Sequence, residues 1–401
     1  MILNNKYVFT FLMLVLLCFF GLLGFRRLAD LKWLFYPLLI ITMVGFKCRK
    51  TLLFDKLLLV FLLCLFVNCF NSLAQNEESF LSYLDGECSI IFPVFFYYVF
   101  MRTRMKIENL EFVLMILCFA FCFAYIVQFV AYPRVFFQGA MAEGLDIELR
   151  FRLTGQCLGA IAFLMGINKI FMEFSTKYLC LAFCGLVVTL IVGFRSQIAA
   201  LTIVTLIMFI RIKGIKITAY IKYVILGFLF MLLFVQIPIV KNKIQEMVER
   251  NENANFDNQD YIRIVTYDYY ASEVKKQPYG YWTGLGLPGS HSKYQNKIDT
   301  LKHKNGIVWA DWGIIGLSWM LGIPGVIIII LICIYTLFIK VPKQFYYISF
   351  SFLFLLLGSI MTREIYRVGA FFVQAYLLML LNKIYLKYDR KKENKGSLYQ
   401  S

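Results

Sequence analysis

Charge is scarce in this chain. Only 16% of its 401 residues are Asp, Glu, Lys or Arg, where an ordinary soluble domain carries about a quarter. Histidine is scarcer still, with His291 and His303 alone, so a His-built metal site has almost nothing to build from. No CxxC pair and no Cys/His cluster with ligand spacing occurs. The eleven Cys are an odd number and mostly sit in apolar runs, as Cys64, Cys118, Cys184 and Cys333 do; they read as small apolar filler. The glycine-rich stretch Pro278–Gly289 lacks the Lys-Ser/Thr of a phosphate loop and the strand before a dinucleotide site. The outer segments hold no Asp-x-Asp, and no internal repeat or low-complexity tract is visible.

What is present in excess is apolar surface. Hydrophobic residues make up 60% of the chain, with 41 Phe and 25 Tyr, and mean hydropathy is +0.71. Burial gains scale with the apolar area removed from water, and here lipid must do much of the removing. The expected fold is an all-α polytopic membrane bundle. A crossing helix needs about 20 apolar residues, and by that rule about twelve spans are expected: 7–24, 31–46, 54–72, 88–101, 110–131, 154–172, 177–194, 197–211, 219–237, 312–339, 345–361 and 365–386. The first is read as uncleaved, because Phe25-Arg26-Arg27 follows it rather than a small-residue cleavage site. The organisation expected is a bundle over 1–237, one large loop over 238–311, three last spans over 312–386 and a basic tail over 387–401.

Twelve spans put both termini on one side. Placed in the cytoplasm, that side holds 22 basic and 6 acidic residues, and the other side 19 and 18. Positive charge belongs in the cytoplasm, so multi-pass residence in a cytoplasmic (inner) membrane with both termini inside is expected. The net charge of +17 then reflects topology and attraction to anionic membrane lipid, and calls for no nucleic acid. Outside the long loop, the outer segments carry nine basic residues, and eight are Arg: Arg26, Arg27, Arg134, Arg150, Arg152, Arg195, Arg363 and Arg367. Arginine is the cation of planar, bidentate phosphate and carboxylate recognition. The set points to an anionic ligand at the outer surface.

The long loop has helical spacing in Val240, Ile244, Met247 and Val248, and again in Tyr261, Val265 and Tyr269, with Asp260 as a candidate cap. Its turn-rich part carries Tyr281 and Trp282, whose aromatic faces suit stacking on sugar rings.

Four stretches resemble the bacterial O-antigen polymerase and ligase superfamily. They are Arg152-Leu-Thr-Gly155 at the outer start of a span, Gly193-Phe-Arg195-Ser196 between two spans, Tyr261-Ile-Arg263 followed by Pro278 and Gly284-x-Gly286, and Lys304-Asn305-Gly306 followed by Asp311-Trp-Gly313-Ile-Ile-Gly316. Their order and sidedness, with one large late outer loop, extend over nearly the whole chain. The Asn-rich element that usually follows Arg-x-x-Gly is here Gln156-Cys157, and His303 is not directly followed by Asn, which tilts the resemblance toward polymerase. It implies a polyprenyl-diphosphate-linked oligosaccharide as donor, no cofactor, no metal, and a chain-length regulator protein as a partner. Preorganised cations aimed at the leaving diphosphate are the large term in such a reaction. Arg195 is the first candidate because it ends an apolar span at membrane depth, with Arg263 next. Asp311 and His303 are candidate bases. Arg152, Arg150, Arg367, Tyr261 and Trp282 are candidate substrate contacts. The acids Asp85, Glu87, Glu143, Asp146 and Glu148 read mostly as solvated outer charges. A flippase or other transporter, a ligase, and a transferase of single sugars from a polyprenyl monophosphate are the alternatives.

Overall fold

The computed structural model describes residues 5–18, 52–85, 92–131, 134–137, 141–143, 150–153, 155–213, 262–289, 291–367 and 370–397. The expected spans 31–46 and 219–237, and the loop from 238 through Tyr261, lie outside these.

The described chain is almost wholly helical. Its elements are α1 (Lys6–Leu17), α2 (Asp55–Asn76), α3 (Phe80–Asp85), α4 (Phe92–Met101), α5 (Ile107–Ala131), a two-stranded antiparallel ribbon of β1 (Met141–Glu143) and β2 (Arg150–Arg152), α6 (Cys157–Met172), α7 (Thr176–Val192) and α8 (Arg195–Lys213). After them come α9 (Ile262–Lys276), α10 (Gly280–Thr283), α11 (Lys293–Asn305), α12 (Gly313–Leu321), α13 (Ile323–Phe338), α14 (Tyr346–Gly358) and α15 (Phe371–Ser397). Three segments, Asp55–Asn76, Ile107–Ala131 and Arg195–Ile212, are long and apolar enough to cross a membrane, and α1, α6, α7 and α13 are shorter apolar helices.

Two expectations need correction. The run 312–339 is not one helix. Gly322, at φ +86°, breaks it into α12 and α13, a backbone turn that only a residue without Cβ takes freely. Nor does a span begin at 365: residues Glu364–Tyr366 form a 3-10 turn, and α15 starts at Phe371 and continues through the supposed tail to Ser397. The sequence hides this break because Ile365, Tyr366 and Phe371 are as apolar as a helix interior.

Helix α15 is the axis of the bundle. Its residues Phe372–Asn382 are all buried, as a helix apolar on every side must be. The closest helix pair is α6 with α7. A Cβ added at Gly185 would stand 2.5 Å from the Gly159 carbonyl oxygen, and one at Gly166 2.7 Å from Ala182. Small residues let backbones touch where no hydrophobic drive separates helix from lipid. The outer faces of α2, α5 and α8 expose Leu63, Phe66, Phe70, Phe123, Val130 and Leu206, an apolar surface suited to hydrocarbon.

Polar contacts gather at two ends of the bundle. At one end Lys169 pairs with Glu111 at 2.5 Å, Asn168 donates to the Lys343 carbonyl, Lys343 to that of Ile212, Arg211 to that of Leu337 and Lys387 to Glu108. At the other end Arg367 bonds Gln156, Trp312 donates to the Arg263 carbonyl, and residues 68–78 hold 283–289.

Candidate functional site

The Arg367 end holds two polar clusters. The first is built on α2. Asn68, Asn71, Ser72 and Asn76 repeat at helical spacing in an otherwise apolar helix, and so form one stripe. Against that stripe lies irregular backbone, Thr283–Gly289, which cannot satisfy its own polar groups. Asn68 Nδ2 donates to the carbonyls of Thr283 (2.6 Å) and Met320 (2.8 Å), Asn71 Nδ2 to Gly284 (2.6 Å) and Asn76 Nδ2 to Leu285 (2.8 Å). Asn68 Oδ1 accepts from Leu287 N–H and from the Tyr83 hydroxyl. The buried Glu78 carboxylate accepts from Gly289 N–H at 2.8 Å and from Ser72 Oγ at 2.6 Å. On the far side, the N–H groups of Leu285 and Gly286 donate to the carbonyls of Trp319 and Met320. The contact is close enough that a Cβ at Gly286 would sit 2.6 Å from Ser72 Oγ. Non-helical backbone in apolar surroundings survives only with such partners.

The segment just before it faces the other way. Tyr279, Tyr281 and Trp282 expose 78%, 45% and 68% of their surface. So the glycine-rich run divides into a clamped part and an exposed aromatic part. Helix α9 packs over the same end. Its buried positions are Thr266, Tyr270 and Val274, one residue on from the expected stripe of Val265 and Tyr269. The shift follows from aromatic packing: Tyr270 stacks on Trp319 at 5.5 Å, and Tyr267 lies 5.2 Å from Trp312.

The second cluster surrounds Arg367, which is 7% exposed. Its Nη1 donates to Gln156 Oε1 at 2.7 Å, and its Nη2 stands 2.7 Å from Glu364 Oε1, one 3-10 turn earlier. The guanidinium lies 5.4 Å from the centre of the Phe194 ring, a cation–π contact. Gln156 begins α6, Phe194 joins α7 to α8, and the Glu364–Tyr366 turn leads into α15. The turn is anchored from both sides. Ile365 N–H donates to Ser359 Oγ, Gln374 Nε2 to the Ile365 carbonyl and the Tyr366 hydroxyl to the Gly313 carbonyl, while Tyr366 stacks on Trp309 at 5.6 Å.

Polar atoms here are left over. Among the described residues, Arg367 Nε and Gln156 Nε2 are buried and have no hydrogen-bond partner, and neither oxygen of Glu364 accepts a well-aligned hydrogen bond; the same lack of a partner holds for Gln197 Nε2 and for the Tyr97 and Tyr270 hydroxyls. Buried polar groups are nearly always satisfied. Two donors and the Glu364 carboxylate oxygens are thus left for further partners, with the Glu364 charge offsetting that of Arg367.

The sequence-based candidates fall unevenly around this cluster. Arg367 is its centre. Arg195 is exposed and starts α8 directly after Phe194; it opens a helix rather than closing a span at membrane depth. Asp311 is exposed in the turn Trp309–Trp312, two residues past the ring that stacks on Tyr366. Arg263 is half-buried on α9 and joins this end through its carbonyl. His303 is exposed in the last turn of α11, with no contact to the cluster shown. Arg150 and Arg152 stand on β2, opposite Glu143 and Met141. Trp282 is on the exposed aromatic part. Tyr261, Glu87, Asp146 and Glu148 lie outside the described residues. Among the described residues, no three His, Cys, Asp or Glu side chains gather as a metal site would require.

Sequence reasoning missed two parts. Gln156 was visible only as the residue in place of an expected Asn, and Glu364 only as a charge next to Arg363. The pattern Glu-x-x-Arg signals an i,i+3 pair, but its burial is a tertiary fact. No protein-family model matches the chain, and no curated protein matches it either.

Proposed function

We propose that this chain is a membrane polymerase. It joins polyprenyl-diphosphate-linked oligosaccharide repeat units into a surface polysaccharide on the outer side of a cytoplasmic membrane, without metal. The observation that carries the reading is the buried Arg367 cluster with its unpartnered donors. Three of the stretches that resemble the O-antigen polymerase superfamily end next to it: Gly155 precedes Gln156, Phe194 lies within Gly193–Ser196, and Gly313 accepts from Tyr366. In this reading the bundle has about twelve spans, both termini are cytoplasmic, 238–311 is the outer loop, and the Arg367 end is outermost. The charge excess at the Lys169 end supports that orientation.

The chemistry follows from the groups at hand. An acceptor hydroxyl on the incoming repeat unit attacks the donor's anomeric carbon, the bond from that carbon to the diphosphate oxygen breaks, and the diphosphate leaves with the electron pair. Arg367 and the amide donor of Gln156 receive the charge that develops there. Arg195 and Arg363 adjoin Phe194 and Glu364 in sequence and add cations at the rim. Asp311 takes the hydroxyl proton. Trp282 and Tyr281 supply faces on which a sugar ring stacks.

The test uses the purified full chain and one lipid-linked repeat unit in excess chelator. A ladder of products is expected from the parent chain, and none from Arg367→Lys at equal protein. Activity abolished by chelator points instead to a carboxylate–metal transferase of single sugars. Cells without the protein are expected to make one repeat unit on the outer side and stop. Units trapped on the inner side would favour a flippase, and full polymer retained on its lipid carrier a ligase.

A further inference from the structure

The Lys169 end holds a cleft that the polymerase reading does not use. It lies between the segment entering α5 and the late turns of α15, has a volume of about 740 Å³, and is lined by Arg104, Lys106, Lys383 and Lys387 with a single acid, Glu108. Small-molecule sites run to about 300–1,000 Å³, so the space suits a ligand rather than a few waters. Its walls are held in place. Lys383 Nζ donates to the Thr103 carbonyl, and Lys387 Nζ reaches Glu108 Oε1 at 3.3 Å. Lys387 is half-exposed (54%) while its partner Glu108 is more so (66%), so this pair is loosely held and screened. Lys106, Lys383 and Lys387 against Glu108 leave the lining with positive charge in excess. Met105 and Leu386 add apolar surface to the same lining.

We propose that this cleft seats the headgroup of an anionic phospholipid. The position decides the source. The cleft opens beside the start of α5, where α1 packs through Lys6 over the Phe112 ring and exposes Tyr7 and Phe11, and basic pockets between membrane helices on the cytoplasmic side are suited to acidic headgroups. A phosphate meets Lys106 and Lys387 while the acyl chains continue along Leu386 into the bilayer. The inference needs the membrane spans and their orientation, but not the polymerase chemistry.

Native mass spectrometry of the detergent-solubilised full chain tests it, with phosphatidylglycerol and phosphatidylcholine of the same acyl chains offered separately. The parent chain should retain phosphatidylglycerol over phosphatidylcholine, and each cation removed by Lys106→Gln and Lys387→Gln should cut that preference about fivefold. Lys106→Arg with Lys387→Arg keeps the charge and should keep the preference, which separates lost binding from lost folding. Lys302→Gln with Lys304→Gln removes equal charge at the opposite end and should change nothing. Equal retention of the two lipids by the parent chain overturns the proposal, as does an equal loss in the Lys302/Lys304 control. Displacement of phosphatidylglycerol by inorganic phosphate at millimolar level also overturns it, because the ligand would then be a soluble anion.

Discussion

The α2 clamp and the Arg367 cluster lie at the same end of the bundle and are both polar islands in an apolar fold, yet they differ in completeness. The buried side-chain polar atoms of Asn68, Ser72, Glu78 and Tyr83 all have partners, most of them backbone groups of 283–289. In the Arg367 cluster two buried nitrogens, Arg367 Nε and Gln156 Nε2, have none among the described residues. A satisfied network rigidifies a fold, whereas a partly satisfied one is unfavourable unless something else completes it. The first cluster is therefore built as scaffold, and the second is where the proposed function puts its ligand.

The comparison breaks most visibly at Arg367. Arg367→Lys keeps the charge but not the planar fork, and product formation should fall about a hundredfold or more at equal protein, measured with the lipid-linked repeat unit. Glu364→Ala should act on the fold as well, because an unpaired buried guanidinium costs about 3–5 kcal/mol; lower yield and a lower melting temperature are expected. Wild-type product from Arg367→Lys would return this residue to a structural role.

On the scaffold side, Asn68→Leu removes donors that two carbonyls depend on and an acceptor for Leu287 N–H. Each buried group left unsatisfied costs about 1–3 kcal/mol. Thermal melting in detergent should drop markedly, and a cysteine placed at Leu287 should become reactive to a thiol reagent where it is protected in the parent. Unchanged melting with protection intact would mean that Asn71, Asn76, Glu78 and the 319–320 backbone hold the clamp without Asn68.

Smaller effects sharpen the contrast. Trp282→Ala should leave melting unchanged, since the ring is 68% exposed, while weakening use of the lipid-linked unit by about tenfold if one ring–sugar stack is lost. The smallest effect concerns the tie between α9 and α11. Glu273 accepts from Lys276 and from Lys297, and the Lys276 hydrogen bond, followed by the Lys297 charge, holds its carboxyl below the ordinary Glu range. A depressed carboxylate stabilises the fold above its unfolded value, and that contribution is lost as pH falls through the depressed one. Melting of the parent and of Glu273→Gln should differ by at most about 2 °C at neutral pH and converge as pH falls below the carboxylate range.

Much of the architecture was legible beforehand, because apolar runs and charge placement are properties of local sequence. Helices α2, α5, α8 and α14 lie where the runs do. The break at Gly322 and the turn at Glu364–Tyr366 are marked only by Gly322 with Pro324 and by Arg363, Glu364 and Arg367, signals that the apolar runs around them outweigh. The sequence singles out Arg367 only as one of eight arginines expected on the outer side, and its burial is not readable there. Exposure separates Arg195 from Arg367, and exposure comes from how α6, α8 and α15 pack. The Asn stripe of α2 was readable in principle: three amides on one face of an apolar helix have to be answered by something non-helical.

Trp282 sits one residue before a clamped backbone, and its own carbonyl lies against Gly322 so closely that no Cβ fits between them. An aromatic carried on such a mount has a fixed backbone, and only its own side-chain torsions move the exposed ring. In the proposed function any larger closing on a sugar has to come from the partner surface or from the sugar itself. The conformational entropy of ordering that ring's backbone is therefore settled when the protein folds, before a substrate arrives. Under the proposed polymerase reading, turnover that slows with substrate length would then report the travel of the glycan past this anchored segment, not the opening of a gate.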